Sequence, residues 1–459
     1  MIKTVQGARS KERRNDQSCS TPLCETGFTG SQSSPEKCDV NPNCLQVAWN
    51  RRARASCILS HRTGLAVLLA TLLLPPCLRS GDRLDPDTLA QMGSEIRQAI
   101  EDHKLPGGVL WVESKGASDH HAFGLRAVVP GIEPMTEDTI FDVASLTKVL
   151  ATVPALMILR ERGKLKLDDP VAAFLPEFKA GGKESITLRH LLTHTSGFGR
   201  TLSHAPDWSN PKAAFASIDA EKPSKPPGVA HLYSDLNFII LGEVLQRVSG
   251  MKLDVFVKKE IFEPLGMKDT GFLPAPTRRP QIAPTERIGR AVLRGEVHDP
   301  KARAMGGVAG HAGVFATAAD LARFARMMLR GGELDGVRIL NSESVKLMVQ
   351  TQTPPSIRER RGLGWDIDSD FSRPRGDLFP IGSYGHTGFT GVSLWIDPFS
   401  ETFWILLSNR VHPQQSGNIY GLQKTLGTLA AKAVRGFDFS AFPKAGALRS
   451  SEGEKAPSP

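Results

Sequence analysis

The chain has 459 residues, 40% hydrophobic and 23% charged, with a formal net charge of +9. That balance excludes a disordered, collagenous or polytopic membrane protein and suits a globular enzyme. The positive excess is localised: the first 80 residues hold 11 of the 57 Lys/Arg and 5 of the 48 Asp/Glu, a net of +6, which leaves +3 for the other 379.

No basic stripe with interleaved aromatics runs through the body, so no nucleic-acid partner is expected. All six cysteines (Cys19, Cys24, Cys38, Cys44, Cys57, Cys77) also lie in the N-terminal part. They contain no C-x-x-C pair, which argues against a zinc knuckle, and they leave the body without a cysteine nucleophile.

Residues 1–80 read as a disordered leader with a signal-peptide-like segment. Residues 1–46 are polar and aperiodic. Arg51-Arg52-Ala53-Arg54 and Arg62 then precede an apolar run from Gly64 to Leu74 and Pro75-Pro76-Cys77. Basic residues before a short apolar core are the order of a secretory signal. The run is shorter than the roughly 20 residues of a membrane span; an uncleaved membrane anchor is the competing reading. The prolines before Cys77 argue against a lipobox. A signal does not normally begin about sixty residues before its core, so the cellular start is expected near Val47. The expected location is extracytoplasmic, periplasmic or secreted.

Residues 81–440 read as one catalytic domain and 441–459 as a disordered tail. Asp85-Pro86 supplies an N-cap and a first-turn proline for a helix through Leu89, Met92, Ile96 and Ile100. Gly108–Glu113 and Ala122–Val129 read as strands joined by a turn around Lys115-Gly116. After Pro170 the pattern is mostly helical to about residue 350. Phe238–Val248 is stopped by Gly250, and Leu321–Leu329 runs from the cap Thr317 to Gly331. Residues 274–303, rich in Pro and Arg, read as a long surface loop. Val392–Ile396 and Phe403–Ser408 flank Asp397–Ser400 as a hairpin, and a last helix carries Ile419, Leu422, Leu426 and Leu429. The simplest packing pairs early and late strands in one antiparallel sheet, with helices on its faces and the middle as an inserted lobe.

Three motifs carry chemistry. Ser145-Leu146-Thr147-Lys148 opens an apolar helix directly after the strand-like Ile140–Val143. Residues i and i+3 share a helix face, so the Lys148 amine can sit beside the Ser145 hydroxyl. A lysine activates a serine as base if burial or nearby cations lower its pKa. At a helix N-terminus the Ser145 N–H also points outward as an oxyanion donor. The S-x-x-K spacing occurs four times, at Ser34, Ser145, Ser209 and Ser249, but only Ser145 has the strand-then-helix setting. Pro154 is expected to kink the helix that follows.

The second motif is Tyr233-Ser234-Asp235 before the helix from Phe238, where a phenol near a cation can shuttle a proton. Alone, it reads as a buried tyrosine beside an Asp cap. The third is His386-Thr387-Gly388-Phe389-Thr390-Gly391, whose glycines let a substrate approach an edge strand and whose Phe389 N–H can complete an oxyanion hole. Alone, it reads as a glycine-rich turn. His194 and His311 are expected to hydrogen-bond within loops, no histidine spacing suggests a metal, and Trp365 is expected in the core.

Taken in order, these motifs resemble the penicillin-recognising serine hydrolases, in the branch of class C β-lactamases, DD-peptidases and esterases. Leu191–Gly197, Ile261–Met267 and Gly306–Gly313 add to the resemblance, which spans roughly residues 85–435. It implies an α+β, β-lactamase/transpeptidase-like fold: an antiparallel sheet flanked by helices plus an all-helical lobe, with the site between them. It implies Ser145 as acylated nucleophile, Lys148 and Tyr233 in acid/base roles, and Ser145 and Phe389 N–H as oxyanion donors. Asp235, His386, Thr387 and Gly388 would contact substrate. No metal or organic cofactor is implied.

The expected substrate is a small molecule or cell-wall peptide: a β-lactam, a D-alanyl peptide or a short-chain ester. A penicillin-binding receptor without turnover is the alternative. Two positions depart from the class C pattern: Asp235 replaces an Asn and His386 a Lys. Asp235 is positioned to pair with Lys148, favouring its charged form and moving base duty to Tyr233. His386 would attract a carboxylate only when protonated, so activity on carboxylate substrates is expected to fall as it deprotonates.

Overall fold

The computed structural model describes residues 83–200, 210–415 and 417–442. The expectations for residues 1–82 and 443–459 fall outside these. Asp85 caps the first helix, Pro86–Glu101, by accepting the Thr88 N–H at 2.9 Å. Gly250, in the left-handed region at φ 70°, ends the helix Asp235–Ser249. Thr317 caps Ala318–Leu329 through the Asp320 N–H.

Eight strands form one antiparallel sheet, with Gly107–Ser114, Ala117–Ala127 and Glu133–Pro134 from the start of the domain. Arg360–Arg361, Asp366–Asp368, Tyr384–Gly388, Val392–Asp397 and Thr402–Ser408 come from its end. The join is Gly107–Ser114 against Thr402–Ser408, with Val109 opposite Leu407 and Trp111 opposite Ile405. Side chains alternate across the pleat. Leu110, Val112, Trp404 and Leu406 face the first helix and the last one, Tyr420–Lys432. Val109, Phe403, Ile405 and Leu407 face the larger core shared with the helical lobe. Both faces are covered, which is why Thr402–Ser408 is buried throughout. Each such aliphatic contributes roughly 1.5–3 kcal/mol by leaving water.

Four expectations are corrected. The second strand begins at Ala117, not Ala122, because polar residues there still pair: His120 lies opposite Trp111 and stacks on it at 4.1 Å. The lobe is not all-helical: the strand-like Ile140–Val143 forms as Phe141–Asp142 and joins Val314–Ala316 and Gly271–Phe272 in a small sheet, the last two strands being too short to show a period. Residues 274–303 are not a plain surface loop, since they fold into short elements with Ile282, Val297 and Ala302 buried. Order also continues past residue 440: Ala441 closes a 3₁₀ turn and the Phe442 ring lies 4.9 Å from that of Phe399. Among the described residues no helix is long and apolar enough to cross a membrane.

Candidate active site

The turn that carries Ser145 follows the short strand Phe141–Asp142. Val143 donates its N–H to Val314 O at 3.0 Å, and Ala144 adopts φ +46°, a left-handed conformation unusual for a residue with a Cβ. The helix starts at once. It is wound first as a π-helical turn, Lys148–Thr152, and then as the α-helix Val153–Glu161. Pro154 therefore sits in the first α turn, directly after the π-helical winding.

Lys148 is fully buried. Its Nζ lies 2.9 Å from Ser145 Oγ, 3.0 Å from Asp235 Oδ1 and 3.1 Å from His311 O. An ammonium has three N–H donors and no acceptor, and here all three are used. Burial disfavours the charge, but Asp235 and Tyr233 more than offset it, and the Lys148 pKa is displaced upward. The Asp235 pairing expected from the sequence is thus present, and it favours a charged lysine over a lysine base with a lowered pKa.

Asp235 sits in the first turn of its helix and faces a second cation, Lys301, at 3.5 Å. Burial pushes its pKa up, but Lys148, His311 and Lys301 outweigh burial and hold it well below the ordinary value. The Tyr233 ring centroid is 5.2 Å from Lys148 Nζ. The ring packs between His194 at 4.4 Å and Phe371 at 5.0 Å. His194 Nδ1 accepts the Ser234 N–H at 3.2 Å and so fixes the start of this helix.

His386 overturns one expectation. It is 2% exposed, its Nδ1 lies 2.7 Å from Thr387 O, and its Nε2 has no partner among the described residues. Burial first, then the Arg361 and Lys148 charges, push its pKa well below the imidazole range. The ring is neutral, with Nδ1–H donating and Nε2 free to accept. It supplies no titrating charge for a carboxylate. Gly388 is required by close approach: a Cβ there would lie 2.7 Å from Val143 O and 3.2 Å from Ala144 Cβ.

Ser145, Tyr233, Asp235, His386, Thr387 and Gly388 line one cleft of about 340 Å³, with Phe389 at its rim and Lys148 beneath. The cleft includes residues the motifs did not indicate. His298 and Asp299 enter from the 274–303 segment, and the guanidiniums of Arg373 and Arg410 stand over the Tyr420 and Phe389 rings at 3.8 and 4.8 Å. Asp299-Pro300 has the same cap-and-proline signature as Asp85-Pro86 and could have flagged a helix start in the supposed loop. Arg373 and Arg410 carry no local signal.

Asp235, Asp299 and His311 offer ligand atoms within 4.8 Å of one another. The donors are poorly suited to a metal, because Lys148 and Lys301 already compensate Asp235 and His311 Nε2 bonds Asp299 at 2.9 Å. Trp365 is fully buried in the core.

The Beta-lactamase family model matches residues 87–425. A protein of Escherichia coli K12 named "Putative D-alanyl-D-alanine carboxypeptidase" is 33% identical over 325 residues, 62% of this chain and 73% of its own. Among solved structures, a penicillin-binding protein homologue from Caulobacter crescentus superposes with a TM-score of 0.63 at 21% identity, covering 76% of this chain and 99% of its own. A hydrolase with promiscuous acyltransferase activity, EstCE1, gives 0.60 at 22%, covering 75% and 99%. The fold is the β-lactamase/transpeptidase-like arrangement of antiparallel sheet and helices. The chain belongs to the Beta-lactamase family and is a serine hydrolase.

Proposed function

We propose that the protein hydrolyses carboxylate-bearing D-alanyl amides of the cell wall through an acyl-enzyme on Ser145. The observation that carries this reading is the 2.9 Å contact from Lys148 Nζ to Ser145 Oγ at the floor of the cleft. Lys148, held as a cation, donates to Oγ and leaves the hydroxyl proton for another acceptor. The phenolate form of Tyr233, in the same cleft, takes that proton as Oγ attacks the carbonyl, and the resulting phenol gives it to the leaving amine, which restores the phenolate. The N–H groups of Ser145 and Phe389 receive the developing oxyanion. Water then attacks the acyl-enzyme, with Tyr233 again as base.

Arg373 and Arg410 support the substrate class. They bring permanent positive charge to the cleft where His386 is neutral, and a guanidinium matches a carboxylate fork. Asp235, His386, Thr387 and Gly388 are assigned to substrate contact around them. A cell-wall substrate would place the protein outside the cytoplasm, as the basic-then-apolar pattern of residues 51–74 suggests.

The test is release of D-alanine from a diacyl-Lys-D-Ala-D-Ala peptide, run beside nitrocefin and p-nitrophenyl acetate. D-alanine release that disappears in Ser145→Ala supports the proposal. Ester turnover without peptide turnover would replace the substrate class, and a stable penicillin adduct without any turnover would favour a receptor.

A further inference from the structure

Asp142 is a buried carboxylate, 2% exposed, at the end of the strand Phe141–Asp142. The chemistry above makes no use of it. Its Oδ1 accepts the Ala144 N–H at 2.8 Å and its Oδ2 accepts the His298 N–H at 2.7 Å. Its main-chain oxygen accepts the Thr390 hydroxyl at 2.8 Å. The three donors come from three separate segments that each reach the cleft: the nucleophile turn, the His298 loop and the loop bearing Phe389. The last two also touch each other, for the His298 ring stacks on Phe389 at 5.6 Å and 23°.

Ala144 N–H belongs to the residue held at φ +46°, where a Cβ is unfavourable and an external restraint is needed. A carboxylate gives each N–H its own oxygen. The isosteric amide has one acceptor and would set its NH₂ against the other N–H. Burial also raises the Asp142 pKa, opposed by the two backbone bonds, so the group has been desolvated to serve them.

We propose that Asp142 is a positioning residue that sets the Ser145 hydroxyl against the oxyanion loop, holding the Ala144 turn and the His298 loop with its carboxylate and the Phe389 loop through Thr390. The proposal rests on Ser145 being the nucleophile. Misplacement of reacting groups by an ångström costs on the order of 100-fold, so the defect belongs in the acylation rate and not in substrate affinity.

The experiment compares Asp142→Asn, Asp142→Asn/Ala144→Gly and Thr390→Val with the wild type. It uses phosphonylation by a serine-directed fluorophosphonate and kcat and KM on p-nitrophenyl acetate, all per titrated active site. Asp142→Asn should lose at least ~30-fold in phosphonylation rate and kcat with KM within about twofold, whereas a purely structural role would lower only the number of active sites. Ala144→Gly should restore at least ~5-fold in the double variant, because glycine takes the left-handed turn unaided. Thr390→Val should lose ~3–10-fold with a fall of only a few °C in thermal midpoint, and it carries the test if Asp142→Asn does not fold.

A wild-type rate per active site in Asp142→Asn, or no rescue by glycine, overturns the proposal. So does a wild-type rate in Thr390→Val. If the Ser145 reading itself were at fault, Ser145→Ala would still turn over, an outcome separate from all of these.

Discussion

Replacing Asp235 by Asn keeps the shape of the side chain and removes one charge 3.0 Å from the Lys148 ammonium. At an effective dielectric of about 20, the attraction lost is roughly 5 kcal/mol. Asp235 is 24% exposed, so part of that is screened, and a net loss of ~3 kcal/mol is the figure for a buried cation left without its partner. For a domain of this size that is a fall of ~4 °C in thermal midpoint at pH 7.

The pH dependence has a fixed sign. The Asp235 pKa is depressed, so its contribution is present above the ordinary value of 3.8 and lost as pH falls through the folded one. The Lys148 pKa is raised, so its contribution is present below 10.5 and lost as pH rises through the folded one. The stability gap between wild type and variant should be full near neutrality and close toward both extremes.

Catalytically, burial is then unopposed by Asp235, and Lys148 becomes able to lose its proton in the assay range. The kcat/KM profile on a neutral ester, scanned from about pH 6 to 10, should gain an ionisation absent from the wild type. Superimposable profiles with an unchanged midpoint would refute the reasoning that Asp235 holds Lys148 as a cation.

Other outcomes follow from the same geometry. The ratio of kcat/KM for a carboxylate peptide to that for a neutral ester should stay flat between about pH 5 and 8, because His386 is neutral throughout; a fall with a midpoint in the imidazole range would contradict its burial. Arg373→Met and Arg410→Met should each raise KM for a carboxylate peptide by ~10–100-fold while leaving p-nitrophenyl acetate within about threefold, as measured by steady-state kinetics. Gly388→Ala forces a Cβ to 2.7 Å from Val143 O, so strand and nucleophile turn must separate. Ester turnover should drop at least ~100-fold, whereas near-normal activity would show that the strand yields.

Much of the frame was legible because its signals are local. Asp85-Pro86, Thr317 and Gly250 each act within one turn of helix, and the hairpin around Asp397–Ser400 is bounded by its own turn residues. Ser145, Lys148 and Tyr233 were singled out by type and order, and the structure brings them together at one cleft. The Lys148–Asp235 pair was legible from the Asp that stands at position 235, but the rest of the electrical state was not, because it depends on long-range partners. Lys148 donates its third hydrogen bond to a carbonyl, His311 O, which no side-chain motif encodes. His386 looks like an exposed loop histidine until the sheet buries it beside Arg361. Phe141–Asp142 was legible as strand-like, but its partner Val314–Ala316 is too short to show periodicity, and together they set the turn that carries Ser145.

The central claim is that Ser145, held by the Lys148 ammonium, is the atom that becomes acylated. Acid-quenching the enzyme during turnover of an activated ester and locating the added acyl mass by peptide mapping tests it most directly. The account predicts the mass on the peptide containing Ser145, its absence in Ser145→Ala, and formation at least ~100-fold slower in Lys148→Ala. An acyl group on any other residue, or full turnover by Ser145→Ala, would contradict it.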